Sequence, residues 1–354
     1  MGLSASIQAP LTLEDAPAVQ IRQRGRSPGP AGFTEKYTGV LLEASSVRTG
    51  NCVCHNSCIM QKISGSDHSV LRYPAYHEHI MKPCTIHPSV HSADYTGYDT
   101  KTLRDRFLIE TLFEPGQTHW HYCAENQLLL CGICPDTTVS LQVPDALGPE
   151  PILERREMGV VNLGEPGEIT VDGARYAMDA NDGLYIGTGA GEVTLSGAGA
   201  KFYCTFAPAH RTCPIRHIRF EEAEPLRLGS ADACNERTIY FYIAPGVTES
   251  CQLMMGITVL ETGSVWNTMP CHRHLRRMEV YLYCRLPEDQ MIVHLMGRPE
   301  ETRNLILRNE QAVISPSWSI HCAAGTQNYA FLWCMVGENQ DFKDMDLVDM
   351  ADLY

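Results

Sequence analysis

Two histidines separated by one residue, His272 and His274, are the first candidate for metal chemistry in this chain. Side chains at positions i and i+2 of a strand point the same way, so both imidazoles can face one point. Glu279 is five residues after His274, so on one straight strand its side chain would point to the opposite face. A turn or bulge within residues 275–278 would bring its carboxylate to the same point. His321, on a later strand-rich segment, is the predicted fourth ligand.

Three imidazoles and one carboxylate suit a borderline divalent ion such as Zn²⁺, Fe²⁺ or Mn²⁺. A structural zinc site with four protein ligands usually includes thiolates. A set made only of His and Glu is more often a reactive site, where water or substrate completes the shell of ligands. The spacing therefore predicts one divalent metal ion per chain, held at a reactive centre.

Other histidine and cysteine clusters lack this combination of ligands. The segments 77–79 and 119–121 also have the His-x-His spacing, but neither has a glutamate or a further histidine at a matching distance. We expect neither to bind a metal. The Cys-x-x-Cys segment 131–134 resembles a redox pair, yet no clear helix follows it, which favours buried structural thiols.

Composition narrows the range of partners. The chain has 354 residues, and 28 Lys and Arg against 42 Asp and Glu give a formal net charge of −14. An acidic chain without a long basic run argues against nucleic acid or an anionic membrane as a partner. No apolar stretch is long enough to span a bilayer. Fifteen cysteines without the spacing of a disulfide framework indicate reduced thiols and a cytoplasmic protein.

The elements that must position the candidate ligands are mostly short strands. Asp172-Gly173 between two apolar runs predicts a hairpin with a two-residue turn. Helices are expected only over residues 99–113 and, as one acidic helix, over 345–354. Residues 1–80 differ in pattern and are expected to be a poorly ordered extension or a misassigned start, with Met81 as the alternative. Aromatic and β-branched residues predict strands at 239–243, 280–283 and 331–333.

A weak internal duplication suggests two lobes. Strand-like segments that begin at Leu184 and Phe202 are 18 residues apart, and so are those at Val313 and Phe331. This repetition predicts two β-barrel lobes, over roughly residues 115–215 and 235–340.

The first of these lobes is expected to hold no metal. Arg155-Arg156 aligns with Arg276-Arg277 after a shift of 121 residues. The ligand positions then fall on Pro151, Leu153 and Met158, none of which is a good zinc ligand.

Several short sequence segments resemble those of a known family. The pattern HxHxxxxE, followed by the later Pro-to-His segment, resembles the two metal motifs of the cupin superfamily. More closely, the chain resembles the 5-dehydro-4-deoxy-D-glucuronate isomerase family, from about residue 81 to residue 354. The strings are LERRE (153–157), APAH (207–210), WNTMPCH (266–272), RRMEVY (276–281), NEQAVISPSWSIH (309–321) and MVGENQ (335–340).

The resemblance implies an all-β bicupin with two β-barrel lobes of the double-stranded β-helix, or jelly-roll, type and a few short helices. Residues 81–230 would form an N-terminal cupin lobe without metal. Residues 231–354 would form a C-terminal metal-binding cupin lobe. The implied assembly is a homohexamer with one Zn²⁺ per chain. The zinc ligands would be His272, His274, Glu279 and His321.

The implied activity is a zinc-dependent aldose–ketose isomerisation. It converts 5-dehydro-4-deoxy-D-glucuronate to 3-deoxy-D-glycero-2,5-hexodiulosonate in pectin and uronate breakdown. A proton leaves C2 and one returns to C1, so a general base must lie near C2. Glu310, Glu338 and a zinc-bound hydroxide are the candidate bases. The candidates for binding the substrate carboxylate, which suits a guanidinium fork, are Arg237, Arg276 and Arg277.

Three other functions fit the same residues. An Fe²⁺ cupin dioxygenase could have the same ligands, because three nitrogens and one oxygen also suit iron. A non-catalytic sugar-binding cupin could use the metal structurally, although the arginine pair beside the ligands weakens this alternative. A phosphosugar isomerase is a third, because cupins do not need a glycine-rich phosphate loop.

Overall fold

Short strands and turns make up most of the chain, because apolar and β-branched runs alternate with Gly, Pro and Asp. A computed structural model describes residues 83–148, 151–339 and 341–354. These residues belong to one unit that spans His77–Tyr354. The predicted extension over residues 1–80, the alternative start at Met81 and the 77–79 histidine pair lie outside the described residues.

The described residues contain one α-helix, α1 (Thr100–Phe107), and twenty-four strands. Short 3-10 turns lie at Tyr95–Gly97, Glu125–Gln127, Asp145–Leu147, Phe220–Glu222, Ala231–Ala233 and Met350–Asp352. The strands are β1 (Cys84–His87), β2 (Leu108–Ile109), β3 (Thr118–Cys123), β4 (Leu128–Ile133), β5 (Val139–Ser140), β6 (Arg156–Asn162), β7 (Gly167–Val171), β8 (Ala174–Met178), β9 (Gly183–Ile186), β10 (Val193–Ser196), β11 (Phe202–Pro208), β12 (Arg216–Ile218), β13 (Pro225–Leu228), β14 (Arg237–Ile243), β15 (Leu253–Leu260), β16 (Trp266–Asn267), β17 (His272–Arg273), β18 (Arg277–Cys284), β19 (Ile292–Arg298), β20 (Glu301–Leu307), β21 (Ala312–Ser315), β22 (Ile320–Gly325), β23 (Ala330–Gly337) and β24 (Asp346–Leu347).

These strands form two pairs of sheets and one small two-stranded sheet. Sheet A has the order β1-β3-β4-β11-β6-β9-β12 and is paired with sheet B, of order β5-β10-β7-β8. Sheet C has the order β13-β14-β15-β23-β18-β21-β2 and is paired with sheet D, of order β16-β22-β19-β20. Strands β17 and β24 pair with each other. The predicted all-β class is confirmed, and the two sheet pairs are compatible with a bicupin.

Within the described residues, three large apolar cores hold the four larger sheets together, and a fourth, small cluster packs β22 against residues Cys271 and Val348. The core between sheets A and B is filled by apolar side chains such as Trp120 and Phe206. The core between sheets C and D contains Tyr281 and Trp333. In the third core, residues of sheets A and C are buried against each other, so the two large sheets pack back to back.

Helix α1 is shorter than the sequence predicts. Asp99 caps it, because its carboxylate accepts a hydrogen bond from the Thr102 N–H at 2.8 Å. The expected end at residue 113 is wrong. The chain leaves the helix after Phe107 because Leu108–Ile109 forms β2, which pairs with β21 and is buried. A tertiary strand pairing therefore overrides the local helical pattern.

The predicted hairpin is confirmed. Strands β7 and β8 pair antiparallel, and Val171 lies opposite Ala174. Asp172 and Gly173, the two turn residues, have φ angles of 47° and 83°. Two consecutive positive φ values fit the turn geometry that matches the twist of a hairpin.

The predicted acidic helix over residues 345–354 is wrong. This segment contains β24, which pairs with β17, and a single 3-10 turn. The Val348 N–H donates to the Cys271 carbonyl at 3.0 Å, and the Tyr354 N–H donates to the Pro299 carbonyl at 2.9 Å. The backbone groups that a helix would pair internally are instead paired with the rest of the fold.

The thiols behave as the sequence predicts within the described residues. All twelve cysteines described there are free, and Cys131 and Cys134 are buried. Burial raises the pKa of Cys134 to about 11, so its thiol stays protonated and unreactive at neutral pH. No helix in the described part of the chain is long and apolar enough to cross a membrane.

Candidate metal centre

The structure brings the four predicted ligands together from three elements. His272 lies on β17, and His274 follows it directly. The chain then turns at residues 275–276 and enters β18, where Glu279 points back to the histidines. His321 comes from β22 in the opposite sheet. Because this turn interrupts the strand between His274 and Glu279, the alternation of side chains along one straight strand does not apply. The carboxylate can therefore face the histidines.

The four ligand atoms form one tight group within 4.8 Å of one another. The Nε2 atom of His272 is 3.0 Å from that of His274 and 3.1 Å from that of His321. The Oε2 atom of Glu279 is 2.9 Å from His321 Nε2 and 3.4 Å from His274 Nε2. Two atoms bound to one ion at about 2.0–2.1 Å lie roughly 2.9–3.4 Å apart, depending on the bond angle. The spacing of the group fits a single ion.

Burial favours the neutral form of two of these imidazoles, those of His272 and His274. The pKa of His272 is held well below its ordinary value, first by burial and then by the positive charges of His321, Arg277 and Arg237. The pKa of His274 is lowered for the same leading reason. Neutral imidazoles direct lone pairs into the group, and at most one proton can lie between any two nitrogens. A cation at their centre would satisfy all three nitrogens and the carboxylate together, so the donor set fits a divalent metal.

Three of the ligands, His272, His274 and Glu279, line a cavity of about 240 Å³ that lies against sheet C. Its walls are largely apolar, and its only acidic lining residue is Glu279. The cavity is lined by Leu228, Arg237, Ile239, Thr258, Thr268, Met269, Pro270, His272, His274, Arg277, Glu279, Tyr281, Phe331, Trp333, Met335, Phe342, Met345 and Leu347. Two arginines against one carboxylate make the cavity cationic although the chain is acidic overall.

Of the three predicted arginines, Arg237 and Arg277 line the cavity and Arg276 does not. Arg237 is half-buried and donates one hydrogen bond from Nη1 to the Asn235 carbonyl at 2.8 Å. Burial lowers its pKa. Arg276 is exposed and forms ion pairs with Asp344 and Glu338. Only Arg237 combines a cavity position with a guanidinium that makes few contacts within the described residues.

Arg277 holds the chain segment that follows β23. Its side chain is fully buried, and both terminal nitrogens donate hydrogen bonds to residues 339–344. The acceptors are the Asn339 side chain (3.2 Å) and the carbonyls of Asp341 (2.9 Å), Phe342 (3.1 Å) and Asp344 (3.0 Å). These bonds keep Phe342 and Met345 against the cavity, so Arg277 positions one wall of the cavity.

The two predicted carboxylate bases lie outside the cavity lining. Glu310 lies between β20 and β21, and its Oε1 is 2.6 Å from Lys201 Nζ. Glu338 is exposed, and its Oε2 is 3.7 Å from Arg276 Nη1. Each carboxylate is paired with a cation away from the ligand group, so the geometry gives no support to a role as the general base.

Several cavity residues were missed by the sequence argument. Tyr281 follows Glu279 by two positions on β18, so strand parity already placed both on one face. Thr268 had no such signal, because it lies beyond the end of β16 with a left-handed φ of 52°. Met345 and Leu347 were missed because residues 345–354 were expected to be a helix, and Phe342 lies in a segment for which the sequence predicted no element.

The other His-x-His pair makes contacts of its own. His119 Nε2 is 2.9 Å from a carboxylate oxygen of Glu114. His121 Nδ1 is 3.1 Å from His87 Nε2. Burial is the main cause that lowers the pKa of His121, to about 4. The side chains of His119 and His121 thus engage different partners rather than a common point.

The chain is similar to curated enzymes over most of its length. A 4-deoxy-L-threo-5-hexosulose-uronate ketol-isomerase of Lachnospira eligens is 48% identical over 277 residues, which cover 76% of this chain and 99% of that protein. The protein of the same name from Escherichia coli is 48% identical, with coverage of 76% and 99%. At this similarity the chain is an enzyme, an intramolecular oxidoreductase of the ketol-isomerase class.

The fold comparison extends to more distant proteins. The crystal structure of an IolB-like protein from Salmonella typhimurium matches with a TM-score of 0.56 and 14% identity, covering 68% of this chain and 96% of that one. Residues 110–351 match the profile of the KduI/IolB family. That segment contains all four ligand positions and every strand of sheets C and D except the N-terminal β2. The chain belongs to the KduI/IolB family.

Proposed function

We propose that this chain is a zinc-dependent isomerase that converts 5-dehydro-4-deoxy-D-glucuronate to 3-deoxy-D-glycero-2,5-hexodiulosonate. The observation that carries the proposal is the buried group of three imidazoles and one carboxylate in the wall of a cationic cavity. The names of the relatives at 48% identity support the choice of substrate.

His272, His274, Glu279 and His321 would hold the ion. When bound, a divalent ion supplies Lewis-acid stabilisation of the negative charge that develops on the substrate oxygens. Zn²⁺ fits because imidazole and carboxylate are among its ordinary ligands and because only protein oxygen and nitrogen atoms meet at the group. The chain itself favours the neutral form of His272 and His274, because burial lowers the pKa of both imidazoles.

Arg237 is the proposed partner of the substrate carboxylate. It borders the cavity, and its positive charge adds to burial, the leading cause, in lowering the pKa of His272. A guanidinium can bind a carboxylate through two parallel hydrogen bonds. This contact would place the uronate end of the sugar at Arg237 and its carbonyl end at the metal ligands.

The apolar wall of the cavity has a role in the same reaction. Phe331, Trp333, Met335 and Phe342 line it. Their side chains exclude water from the reacting end of the sugar, and charge interactions are stronger where water is excluded.

The proposal extends to the setting of the enzyme. We also propose that the enzyme holds one Zn²⁺ per chain, assembles as a homohexamer, is located in the cytoplasm and acts in pectin and uronate breakdown. The proposed organisation has residues 1–80 as an extension, 81–230 as a lobe without metal and 231–354 as the metal-binding lobe. The pairing of β13 with β14 suggests that the lobe boundary lies before residue 225.

The decisive experiment combines metal analysis of the purified protein with an NMR assay on the keto-uronate. We expect about one zinc per chain and loss of the C1 aldehyde signal as the ketose forms, without oxygen consumption. Iron in the protein together with oxygen uptake would favour a dioxygenase. Ligand binding without turnover would favour a sugar-binding protein, and either result would refute the proposal.

A further inference from the structure

Two hydroxyl groups line the cavity beside the ligand group and are hydrogen-bonded to each other. The Tyr281 hydroxyl is 3.1 Å from Thr268 Oγ1. The Tyr281 ring packs edge-on against His321, with ring centroids 5.3 Å apart. Tyr281 shares the inward face of β18 with Glu279. The pair therefore borders the place where a sugar bound at the ligands would put its carbonyl end.

This pair retains unused hydrogen-bonding capacity. Two hydroxyls offer two donors and several lone pairs, and the bond between them uses one donor and one acceptor. Within the described residues, neither hydroxyl has another hydrogen-bond partner. By contrast, Thr258, which also lines the cavity, accepts a hydrogen bond from Trp333 Nε1 at 3.2 Å. One donor and several acceptors of the Thr268–Tyr281 pair are thus available to a bound ligand.

We propose that the Thr268–Tyr281 pair is a hydroxyl relay that contacts the two oxygens on C1 and C2 of the substrate. This inference rests on the proposed isomerase function. The pair has two oxygens 3.1 Å apart, which is close to the separation of two oxygens on neighbouring carbons. Each hydroxyl can therefore face one substrate oxygen.

The reaction requires a proton transfer between these oxygens. The aldose has a carbonyl oxygen on C1 and a hydroxyl on C2, and the ketose has the reverse. One proton therefore moves from C2 to C1, and a second moves from the C2 oxygen to the C1 oxygen. The electron pair of the broken C2–H bond becomes the C1–C2 double bond of the enediol and later the new C1–H bond.

The relay carries the proton that moves from the C2 oxygen to the C1 oxygen. With Tyr281 facing the C1 oxygen, its O–H bond breaks as the C1 oxygen gains a proton. The Thr268 O–H bond breaks as the tyrosine hydroxyl is restored, and the O–H bond on C2 breaks as the threonine hydroxyl is restored. Both side chains end the cycle as they began it, and neither changes its charge.

Tyr283 provides a matched control for Tyr281. It is the next inward tyrosine on β18, is fully buried and bonds His294 Nδ1 through its hydroxyl at 2.8 Å, but it does not line the cavity. Tyr281→Phe and Tyr283→Phe each remove one buried hydroxyl and keep the ring. A merely structural hydroxyl would affect stability and metal content in the same way at both positions.

The experiment compares turnover, KM and zinc content of the metal-loaded full chain with those of Tyr281→Phe, Thr268→Val, Thr268→Ser and Tyr283→Phe. We expect kcat to fall about 100-fold in Tyr281→Phe and Thr268→Val, as for loss of a proton-transfer group, with KM and zinc content unchanged. Thr268→Ser, which keeps a hydroxyl, should recover most of the turnover, and Tyr283→Phe should retain it.

Equal turnover in the two tyrosine variants would overturn the relay, and so would a loss of zinc that parallels the loss of activity. Failure of Thr268→Ser to recover turnover would also overturn it. Absence of isomerisation by the unsubstituted protein is a separate result, because it refutes the proposed function before any variant is compared.

Discussion

At the scale of single residues, the two described His-x-His pairs differ in what their side chains meet. His272 lies within 3.1 Å of two other imidazoles, whereas His119 contacts Glu114 at the surface. We predict that His272→Ala removes the bound metal and lowers turnover at least about 100-fold, because the ion loses one of four ligands. Metal analysis and the NMR assay on the same sample measure both effects.

His119→Ala is the matched control for this prediction. It removes a histidine from the same sequence pattern, and we expect full metal content and turnover. A His272→Ala protein that keeps its metal, or that loses metal and still isomerises the substrate, would contradict the assignment of the ligand group.

His294 leads to a prediction about pH at the same scale. Burial lowers its pKa to about 3, whereas the unfolded chain titrates near 6.5. Between these values the unfolded state binds more protons, so stability rises with pH through the window and is lost as pH falls below about 6.5. The free energy of unfolding of the metal-free protein should fall when the pH is lowered from 7.5 to 5. We predict that this fall is smaller by roughly 2 kcal/mol in His294→Phe than in the unsubstituted protein.

Urea unfolding at the two pH values measures this effect. His294→Phe also leaves the Tyr283 hydroxyl without its partner, but that cost is the same at both pH values and cancels in the difference. An unchanged pH dependence would contradict the prediction, because it would mean that His294 has the same pKa in the folded protein as in the unfolded chain.

At the scale of elements, strand parity explains which parts of the site the sequence could predict. The i and i+2 rule places Glu279 and Tyr281 on one face of β18, and a short turn after His274 is enough to join them to the histidines. The C-terminal segment was predicted incorrectly because its conformation is set by distant groups. Buried Arg277 and the pairing of β24 with β17 determine its path, and neither appears in the local sequence pattern.

Arg277 lies on β18 and positions the segment that follows β23 through its hydrogen bonds. We predict that Arg277→Met lowers the free energy of unfolding by roughly 3 kcal/mol, because the carbonyls of residues 341–344 lose a buried charged donor. Amide hydrogen exchange over residues 341–348 should become faster, and KM should rise as Phe342 and Met345 leave the cavity wall. Urea unfolding, exchange and steady-state kinetics measure the three effects.

Arg276→Met is the control one residue away. Arg276 is exposed, and its pairs with Asp344 and Glu338 lie at the surface, so we expect the free energy of unfolding to change far less than in Arg277→Met. Equal destabilisation of the two variants would show that the buried hydrogen bonds of Arg277 do not hold the segment.

At the scale of the whole molecule, the sequence patterns do not predict which strands join the sheets to one another. Sheets A and B use strands from β1 to β12, yet β2 lies within that stretch and joins sheet C. No local pattern could predict this, because a two-residue strand is defined by its partner, β21. A buried carboxylate, Glu157, joins sheets A and C in addition to their apolar core, and it lies in the LERRE string (153–157) that the family resemblance singled out.

Glu157 lies on β6 in sheet A and accepts four hydrogen bonds, three of them from backbone N–H groups at the start of β15 in sheet C. The donors are Cys251 N (2.7 Å), Gln252 N (2.7 Å), Leu253 N (2.8 Å) and the Tyr185 hydroxyl (2.6 Å). In Glu157→Gln the amide NH₂ group would face hydrogen-bond donors, and it cannot accept hydrogen bonds from them. We therefore predict a loss of roughly 3 kcal/mol in the free energy of unfolding. Urea unfolding measures it, with exposed Glu154→Gln as a control expected to change stability by less than about 0.5 kcal/mol. Equal midpoints for the two variants would show that the contact between the large sheets does not depend on this carboxylate.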